Sequence, residues 1–294
     1  MNCKKGIILA GGLGTRLDPI TRLMSKQLLP IFDKPMIYYP LSVLMLGNIR
    51  DIMIISTPYD IHLYQKLFGD GSNLGIKISY TIQNKPKGIA ECFLLCEEFI
   101  GNDSVCLILG DNFFYGQGLS EKLINASKRN IGATIFIYKV MNPNNFGVIK
   151  YDKTKKPIKI VEKPSKYISQ DAVTGIYFFD SKVVDFSKQL KPSKRGELEI
   201  VDILNKYLKL KDIFIEVLGR GFSWLDTGTA ENLLDTSYFV KTIQNRQNLK
   251  IACLEEISFK KKWINKKKIM NLIKQYPHSD YNEYLKNLVK DEYR

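Results

Sequence analysis

The sequence predicts an α/β protein whose mostly parallel sheet carries helices on both faces. Up to residue 110, apolar runs of strand length, such as residues 7–10, 51–57 and 105–109, alternate with segments of helical spacing. From residue 131 short strands follow one another with polar turns between them, and from about residue 233 the chain is helical and rich in polar residues. Strands that alternate with helices join by right-handed crossovers, which build a parallel sheet of the Rossmann-like type.

The remaining elements follow from the same patterns. Helices are predicted over residues 36–47, 60–68, 89–100 and 197–210, and strands over residues 76–82 and 213–218. The β-rich part contains predicted strands over residues 133–140, 147–151, 158–162 and 173–179. We therefore divide the chain into a core over residues 1–240, with a β-rich insertion at about 131–180, and a C-terminal helical segment over residues 241–294.

The composition is that of an ordinary globular protein. Of the 294 residues, 45% are hydrophobic and 25% are charged. A chain of this length buries about three quarters of its surface. There is no run of about 18 apolar residues, so the sequence predicts no membrane span. The first five residues lead directly into a predicted strand with no cleavage site, which indicates a cytoplasmic protein.

Cysteine and histidine usage narrows the chemistry. The five cysteines are odd in number and scattered. Cys92 and Cys96 are four residues apart in a helical pattern, but no partner pair lies at zinc-finger spacing, so small buried hydrophobes are the favoured interpretation over metal ligands. Only two histidines are present, which disfavours a mechanism that depends on a histidine base.

The formal net charge of +14 raises the hypothesis of nucleic-acid binding. The lysines are nevertheless spread over many segments, and the one dense run, at residues 260–268, lies in a predicted helix near the end of the chain. Charges on a helix surface are usually solvated. We therefore predict that the protein does not bind nucleic acid.

A glycine cluster follows the first predicted strand, in the sequence Gly6-Ile7-Ile8-Leu9-Ala10-Gly11-Gly12-Leu13-Gly14-Thr15-Arg16-Leu17. Glycines after a buried strand let backbone N–H groups approach a phosphate. Arg16 and, ten residues later, Lys26 add two cations, which together indicate a polyphosphate ligand. The cluster matches neither a Walker A loop nor the full dinucleotide fingerprint. Its plain alternative is a tight turn after a core strand.

Chemically distinctive residues also follow other predicted strands. In a parallel sheet the ligand lies at the carboxyl ends of the strands. Gln83 has the donor and acceptor groups that pair with a base edge. Asp111 stands directly after a strand, and Asp226 in Trp224-Leu225-Asp226 is a second such carboxylate. Carboxylates at such positions suit magnesium.

The glycine cluster with its downstream lysine resembles the signature of the sugar-1-phosphate nucleotidylyltransferase family. The resemblance extends over residues 5–290, through segments at 25–30, 33–41, 109–112, 172–175, 195–200 and 224–229. Within the family it is strongest to the enzymes that use dTTP and glucose 1-phosphate. It therefore implies these two substrates, Mg²⁺ as cofactor, and attack of the sugar phosphate on the α-phosphorus of the triphosphate. It also implies a homo-oligomer, usually a tetramer.

The resemblance assigns roles residue by residue. It implies catalytic roles for Arg16, Lys26 and Lys163, and metal binding by Asp111 and Asp226. The nucleotide-binding residues it implies are Leu9, Gly11, Gly12, Gly14, Thr15, Arg16, Gln83 and Gly88. The sugar-binding residues it implies, in the β-rich insertion and near it, are Asn112, Gly147, Glu162, Lys163 and Val173.

Some positions depart from the family pattern, and other functions stay open. Leu13, Lys87 and Phe146 stand where a small polar residue, an acidic residue and a tyrosine are usual. A uridylyl- or cytidylyltransferase and a non-catalytic sugar-nucleotide sensor are the alternatives. The family also carries a second, inhibitory nucleotide-sugar site. Gly219-Arg220 and Glu256-Ile257 resemble part of that site, but Lys260 replaces an expected arginine.

Overall fold

The computed structural model describes residues 3–12, 14–129, 131–274 and 278–291, so Leu13 of the glycine cluster lies outside the described residues. The strands are β1 Lys5–Ala10, β2 Pro30–Ile31, β3 Lys34–Pro35, β4 Asp51–Ser56, β5 Lys77–Ile82, β6 Val105–Leu109, β7 Asn112–Gly116, β8 Ala133–Lys139, β9 Gly147–Tyr151, β10 Pro157–Glu162, β11 Asp171–Phe179, β12 Ile213–Leu218 and β13 Phe222–Asp226. The helices are α1 Tyr38–Leu46, α2 Ile61–Phe68, α3 Glu91–Leu95, α4 Glu97–Ile100, α5 Leu119–Ser127, α6 Lys182–Lys188, α7 Ile200–Leu210, α8 Ala230–Gln247, α9 Leu254–Lys260, α10 Lys266–Ile273 and α11 Asp280–Asp291.

One nine-stranded sheet organises the molecule. Its main path runs β10-β9-β11-β6-β1-β4-β5, and β8 and β12 extend it from β11. Strands β6, β1, β4 and β5 are mutually parallel, whereas β11 runs antiparallel to its neighbours β6, β8 and β9. The predicted α/β fold with a mostly parallel sheet is thereby confirmed.

Helices cover both faces of the sheet because successive strand residues point to opposite sides. Ile8 of β1 joins a core cluster that includes Leu41 of α1 and Leu123 of α5. Ile7, its neighbour in the chain, joins a second cluster that includes Phe93 of α3 and Ile203 of α7. The continuous apolar run of β1 is therefore what a strand buried on both faces requires.

The β-rich part extends the central sheet. Strands β8 and β11 are hydrogen-bonded members of it, and β11 pairs with β6 through Ile176–Phe179. A separate two-stranded ribbon pairs β7 with β13. The C-terminal helices α9 to α11 share a small apolar cluster that includes Phe259 and Leu285, and α9 packs against α1. The division into a core and a C-terminal segment at residue 240 remains a prediction.

Two predicted helices differ from the observed ones. The helix expected over residues 89–100 is divided into α3 and α4, because Cys96 leaves the helical region at φ −111° and ψ 18°. The helix expected over residues 197–210 begins only at Ile200. The Leu198 backbone instead bonds the loop before α3, donating to the Lys87 carbonyl at 2.7 Å and accepting from Ala90 N at 3.2 Å.

The cysteines agree with the prediction from the sequence. All five cysteines are free and buried, Cys92 and Cys96 in the core cluster beneath α3, as small hydrophobes would be. Among the described residues no helix is long and apolar enough to cross a membrane.

Candidate active site

Three loops meet at the carboxyl edge of the parallel strands. The Gly110 amide, just after β6, donates a 2.9 Å hydrogen bond to the Leu9 carbonyl of β1. The Gln83 amide, just after β5, donates a 2.8 Å bond to the Ser56 carbonyl at the end of β4. The loops that carry Gly11, Gln83 and Asp111 therefore lie side by side, as the rule for parallel sheets predicts.

The glycine loop presents an unpaired cation. Gly14 has a left-handed φ of 61°, and a short 3₁₀ turn over Thr15–Leu17 follows it. Arg16 is exposed and forms no hydrogen bond or ion pair with any residue that the structure describes. A Cβ atom built on Gly228 would lie 2.9 Å from Nη2 of Arg16, so the guanidinium reaches the segment directly after β13.

Lys26 lies beneath the glycine loop and is 5% exposed. Its Nζ donates a 2.7 Å hydrogen bond to Oδ2 of Asp111, and Nδ2 of Asn112 donates a 2.9 Å bond to Oδ1. Burial acts to raise the pKa of Asp111, but the Lys26 charge and these bonds outweigh it and hold the pKa below its ordinary value. Asp111 is therefore a firmly ionised carboxylate.

Asp226 is brought to Asp111 by the β7–β13 ribbon. The ribbon pairs Asp226 with Asn112, and Oγ1 of Thr227 donates a 2.8 Å bond to the Asp111 carbonyl. The pKa of Asp226 is raised, first by burial and then by the Asp111 charge, while Lys26, Arg16 and Lys163 act to lower it. Asp111 and all three predicted catalytic cations thus act on the ionisation of Asp226.

Lys163, Gly147 and Glu162, which are predicted to bind the sugar, lie in the β-rich part of the sheet. Lys163 is exposed, has a left-handed φ of 41°, and donates its amide to the Phe146 carbonyl at 3.0 Å. A Cβ atom on Gly147 would lie 3.3 Å from Oε2 of Glu162, which places these two residues together. The pKa of Glu162 is raised by burial and by Glu199.

Val173 and Asn112, two of the predicted sugar-binding residues, are buried. Val173 is 6% exposed. The Asn112 side chain is 5% exposed and is held inside the protein: Oδ1 accepts from Nε1 of Trp224 at 2.6 Å and from Gly175 N at 3.2 Å, and Nδ2 donates to Asp111. In this structure Asn112 braces Asp111 and the ribbon.

Gln83 and Gly88, the residues predicted to bind the base, lie in one compact corner. Gly88 has φ 103°, and a Cβ atom there would lie 2.4 Å from the Leu198 carbonyl oxygen, so only glycine fits. Gln83 is 3% exposed, and its Nε2 donates a 2.8 Å hydrogen bond to Oε2 of Glu91. Glu91 was not predicted from the sequence, because a glutamate in the first turn of a helix carries no local sign of such a contact.

The carboxylates offer limited ligation for a cation. Within the described ranges no group of three or more His, Cys, Asp or Glu side chains is placed to hold a metal ion. Asp111 and Asp226 form a pair, which suits an ion such as Mg²⁺ that takes one or two protein carboxylates and completes its shell with substrate oxygens and water.

A cavity of about 410 Å³ lies elsewhere, between α1, β7, α5 and α9. Glu256, Ile257 and Lys260 line it, which puts these residues of the predicted second site together. Gly219 and Arg220 are not among the lining residues.

Comparison with known proteins gives consistent results along the whole chain. The Nucleotidyl transferase family model matches residues 5–243. A glucose-1-phosphate thymidylyltransferase of Neisseria meningitidis is 54% identical over 97% of this chain and 99% of the relative. Enzymes of the same name from Xanthomonas campestris and Mycolicibacterium smegmatis are 51% and 46% identical, over 99% and 98% of this chain and 98% and 100% of the relatives.

Superposition on solved structures points to the same family. A Bacillus anthracis protein assigned as a glucose-1-phosphate thymidylyltransferase, crystallised with sucrose, superposes with a TM-score of 0.74 at 41% identity, over 80% of this chain and 94% of that one. A UDP-glucose pyrophosphorylase in complex with UDP-glucose gives 0.72 at 25% identity, over 82% and 99%. The chain therefore belongs to the nucleotidyl transferase family and, within it, to the glucose-1-phosphate thymidylyltransferases.

Proposed function

We propose that this protein transfers a thymidylyl group from dTTP to α-D-glucose 1-phosphate, giving dTDP-glucose and pyrophosphate. The observation that carries the proposal is the carboxylate pair at the carboxyl edge of the sheet, where Lys26 bonds Asp111 and the charges of Arg16, Lys26 and Lys163 act on Asp226. The activity named for relatives that match nearly the whole chain supports the choice of substrates.

The reaction needs charge neutralisation more than proton transfer. A phosphate oxygen of the sugar phosphate, already an anion at neutral pH, forms the new bond to the α-phosphorus, and the bond from that phosphorus to the bridging oxygen breaks. The leaving pyrophosphate keeps the electron pair of the broken bond. Because the attacking oxygen carries no proton, no general base is required. The absence of histidine from the described site is consistent with this chemistry.

Each cation has a distinct place in the proposal. Arg16 and the backbone N–H groups of Gly11, Gly12, Gly14 and Thr15 stabilise the charge that grows on the leaving pyrophosphate, with Leu9 holding the loop to the sheet. Lys26, buried beside Asp111, faces the phosphate under attack. Lys163, exposed and unpaired among the described residues, holds the phosphate of the incoming sugar.

Asp111 and Asp226 are the residues that would hold Mg²⁺. Their fit rests on the raised pKa of Asp226, to which burial and then the charge of Asp111 contribute, because a buried pair of like charges is relieved by a divalent cation. When bound, the ion supplies Lewis-acid neutralisation of the phosphate oxygens.

Substrate recognition is divided between two corners. Gln83 and the backbone at Gly88 read the thymine. Gly147, Glu162 and Val173 surround the glucose, and Asn112 contributes through its hold on Asp111. The product is a precursor of dTDP-deoxysugars of the dTDP-rhamnose type. A homotetramer, on the family resemblance, and a cytoplasmic location complete the proposal.

Steady-state kinetics tests the proposal directly. Pyrophosphate release is measured with glucose 1-phosphate and each of dTTP, UTP, CTP, ATP and GTP at fixed Mg²⁺. We expect turnover with dTTP at the highest kcat/KM, and loss of turnover when the metal is chelated. A preference for UTP or CTP would contradict the thymidylyl assignment. Binding of dTDP-glucose without turnover of any triphosphate would instead favour the sensor.

A further inference from the structure

The orientation of the Gln83 amide is fixed by a carboxylate. Nε2 of Gln83 donates a 2.8 Å hydrogen bond to Oε2 of Glu91. An ionised carboxylate only accepts hydrogen bonds, so it can pair with the NH₂ end of the amide but not with the oxygen end. With Gln83 only 3% exposed, little solvent can compete with Glu91 for Nε2, and the two ends of the amide are not interchangeable.

The oxygen end of the same amide faces the glycine loop. A Cβ atom built on Gly11 would lie 2.5 Å from Oε1 of Gln83. No residue in the described part of the chain donates a hydrogen bond to this oxygen. A free acceptor therefore stands beside the loop that binds the nucleotide in the proposed function.

Glu91 is itself held in place. Its Oε2 also accepts the Lys87 backbone N–H at 3.2 Å, and Nζ of Lys87 lies 3.9 Å from Oε1. The Glu91 side chain is 13% exposed, whereas that of Lys87 is 65% exposed. The carboxylate is thus anchored to the backbone of the base-side loop, and the lysine adds a solvated charge.

We propose that Glu91 is a positioning residue that sets pyrimidine specificity by presenting Oε1 of Gln83, and not Nε2, to the base. Thymine and uracil carry a hydrogen on N3 and can donate to Oε1. The N3 atom of cytosine is an acceptor, so it meets another acceptor and loses the bond. This inference rests on the proposed function, and it adds the reason that CTP is rejected.

The test is the ratio of kcat/KM values for dTTP, UTP and CTP in the wild type and in Glu91→Gln. The introduced amide has nearly the same shape but can donate to Oε1 of Gln83. The Gln83 amide can then rotate so that its oxygen and nitrogen ends exchange places. We expect the dTTP:CTP ratio to fall about tenfold or more, the effect of one hydrogen bond. The dTTP:UTP ratio should stay within about twofold, because the two bases share N3–H and O4.

Two controls separate positioning from general damage. Glu98→Gln changes an exposed glutamate of α4 that has no hydrogen bond or ion pair with the described residues, and it should leave all ratios unchanged. In a Gln83→Ala background, Glu91→Gln should no longer alter the dTTP:CTP ratio, because the effect passes through Gln83. If thermal melting shows that Glu91→Gln does not fold, Glu91→Ala removes the same constraint and carries the same expectation.

An unchanged dTTP:CTP ratio in Glu91→Gln, or an equal fall with all three triphosphates, would overturn the inference while leaving the thymidylyl activity of the wild type intact. Failure of the wild type to use dTTP would instead overturn the proposed function. The two failures are therefore distinguishable in one set of measurements.

Discussion

The two ends of the central sheet differ in how their charges are satisfied. At the carboxyl edge Arg16 and Lys163 form no ion pair with any described side chain, and Asp226 has a raised pKa, owing first to burial and then to the like charge of Asp111. This edge holds charges that lack full compensation inside the protein, and a polyphosphate with its cation would supply what is missing.

At the amino edge several charged side chains have partners within the protein. A cavity of about 1070 Å³ lies there, lined by the first residues of three parallel strands, Lys5, Asp51 and Lys77. Nζ of Lys5 pairs with Asp103 at 2.7 Å, and Arg50 donates to the Gly75 carbonyl and stacks over Trp263. Two neighbouring carboxylates beside unpaired cations, rather than the volume of a cavity, therefore mark the candidate functional end of this sheet.

The largest effect is expected from Asp226→Asn. Asparagine keeps the size of the side chain but loses the charge that a divalent cation requires, so turnover should be abolished while the fold persists. Turnover with dTTP and glucose 1-phosphate at ordinary Mg²⁺, together with a circular dichroism spectrum, measures both. Asp103→Asn at the amino edge is the matched control and should keep turnover within about twofold. Near wild-type rates for Asp226→Asn would remove it from the metal site.

Arg16→Ala should lower kcat/KM by a factor of about 10² to 10³, which corresponds to a loss of about 3 kcal/mol or more of transition-state stabilisation. This loss is typical when one preorganised donor to a developing negative charge is removed. Arg50→Ala at the opposite edge removes a cation of the same type and should change kcat/KM by less than about twofold. It should instead lower the melting temperature by a few degrees, since it loses its bonds and its stacking. Equal losses of activity in both variants would contradict the comparison.

The two carboxylates should affect stability with opposite signs. The raised pKa of Asp226 means that its ionisation opposes folding, a penalty absent at acidic pH that grows as pH rises through the folded-state pKa. Asp226→Asn should therefore raise the melting temperature at pH 7. The lowered pKa of Asp111 gives stability that is present above its unfolded value of 3.8 and is lost as pH falls through the folded value.

Asp111→Asn should accordingly lower the melting temperature at pH 7, because it leaves Lys26 buried without its partner. The free energy of unfolding should fall by about 2 kcal/mol or more. Thermal unfolding at pH 7 and at pH 3.5 checks both variants, and the difference between them should shrink at the lower pH. Melting shifts of the same sign at pH 7 would contradict the assignment of a strained and a satisfied carboxylate.

The smallest effect is expected at the rim of the base corner. The 5-methyl group gives only about 1–3 kcal/mol in an apolar pocket, so dTTP should be preferred over UTP by a factor of roughly 10 to 200. The Lys87 side chain is 65% exposed, so Lys87→Asp should leave that ratio within about threefold, no more than ~0.7 kcal/mol. Measured kcat/KM values for both triphosphates decide the point, and a larger change would put the Lys87 side chain at the base.

The features of this protein that depend on neighbouring residues could be predicted from the sequence alone. The two-sided burial of β1 follows from its continuous apolar run, and the position of Arg16 at the end of that strand follows from the glycines between them. Asp111 was predictable for the same reason, since it comes directly after the apolar strand β6. Local periodicity and turn chemistry act over a few residues, which is why they are readable without the fold.

Contacts between residues that are distant in sequence depend on the tertiary structure. Asp226 reaches Asp111 through the β7–β13 ribbon, 115 residues further along the chain. Neither the burial that raises the pKa of Asp226 nor the additional effect of the Asp111 charge has a local signal in the sequence. Asn112 is enclosed by Trp224 and Gly175, and Glu91 orients Gln83, because sheet order and side-chain packing place them together. Such contacts depend on the register and packing of the whole sheet, and a residue's near neighbours in sequence do not determine them.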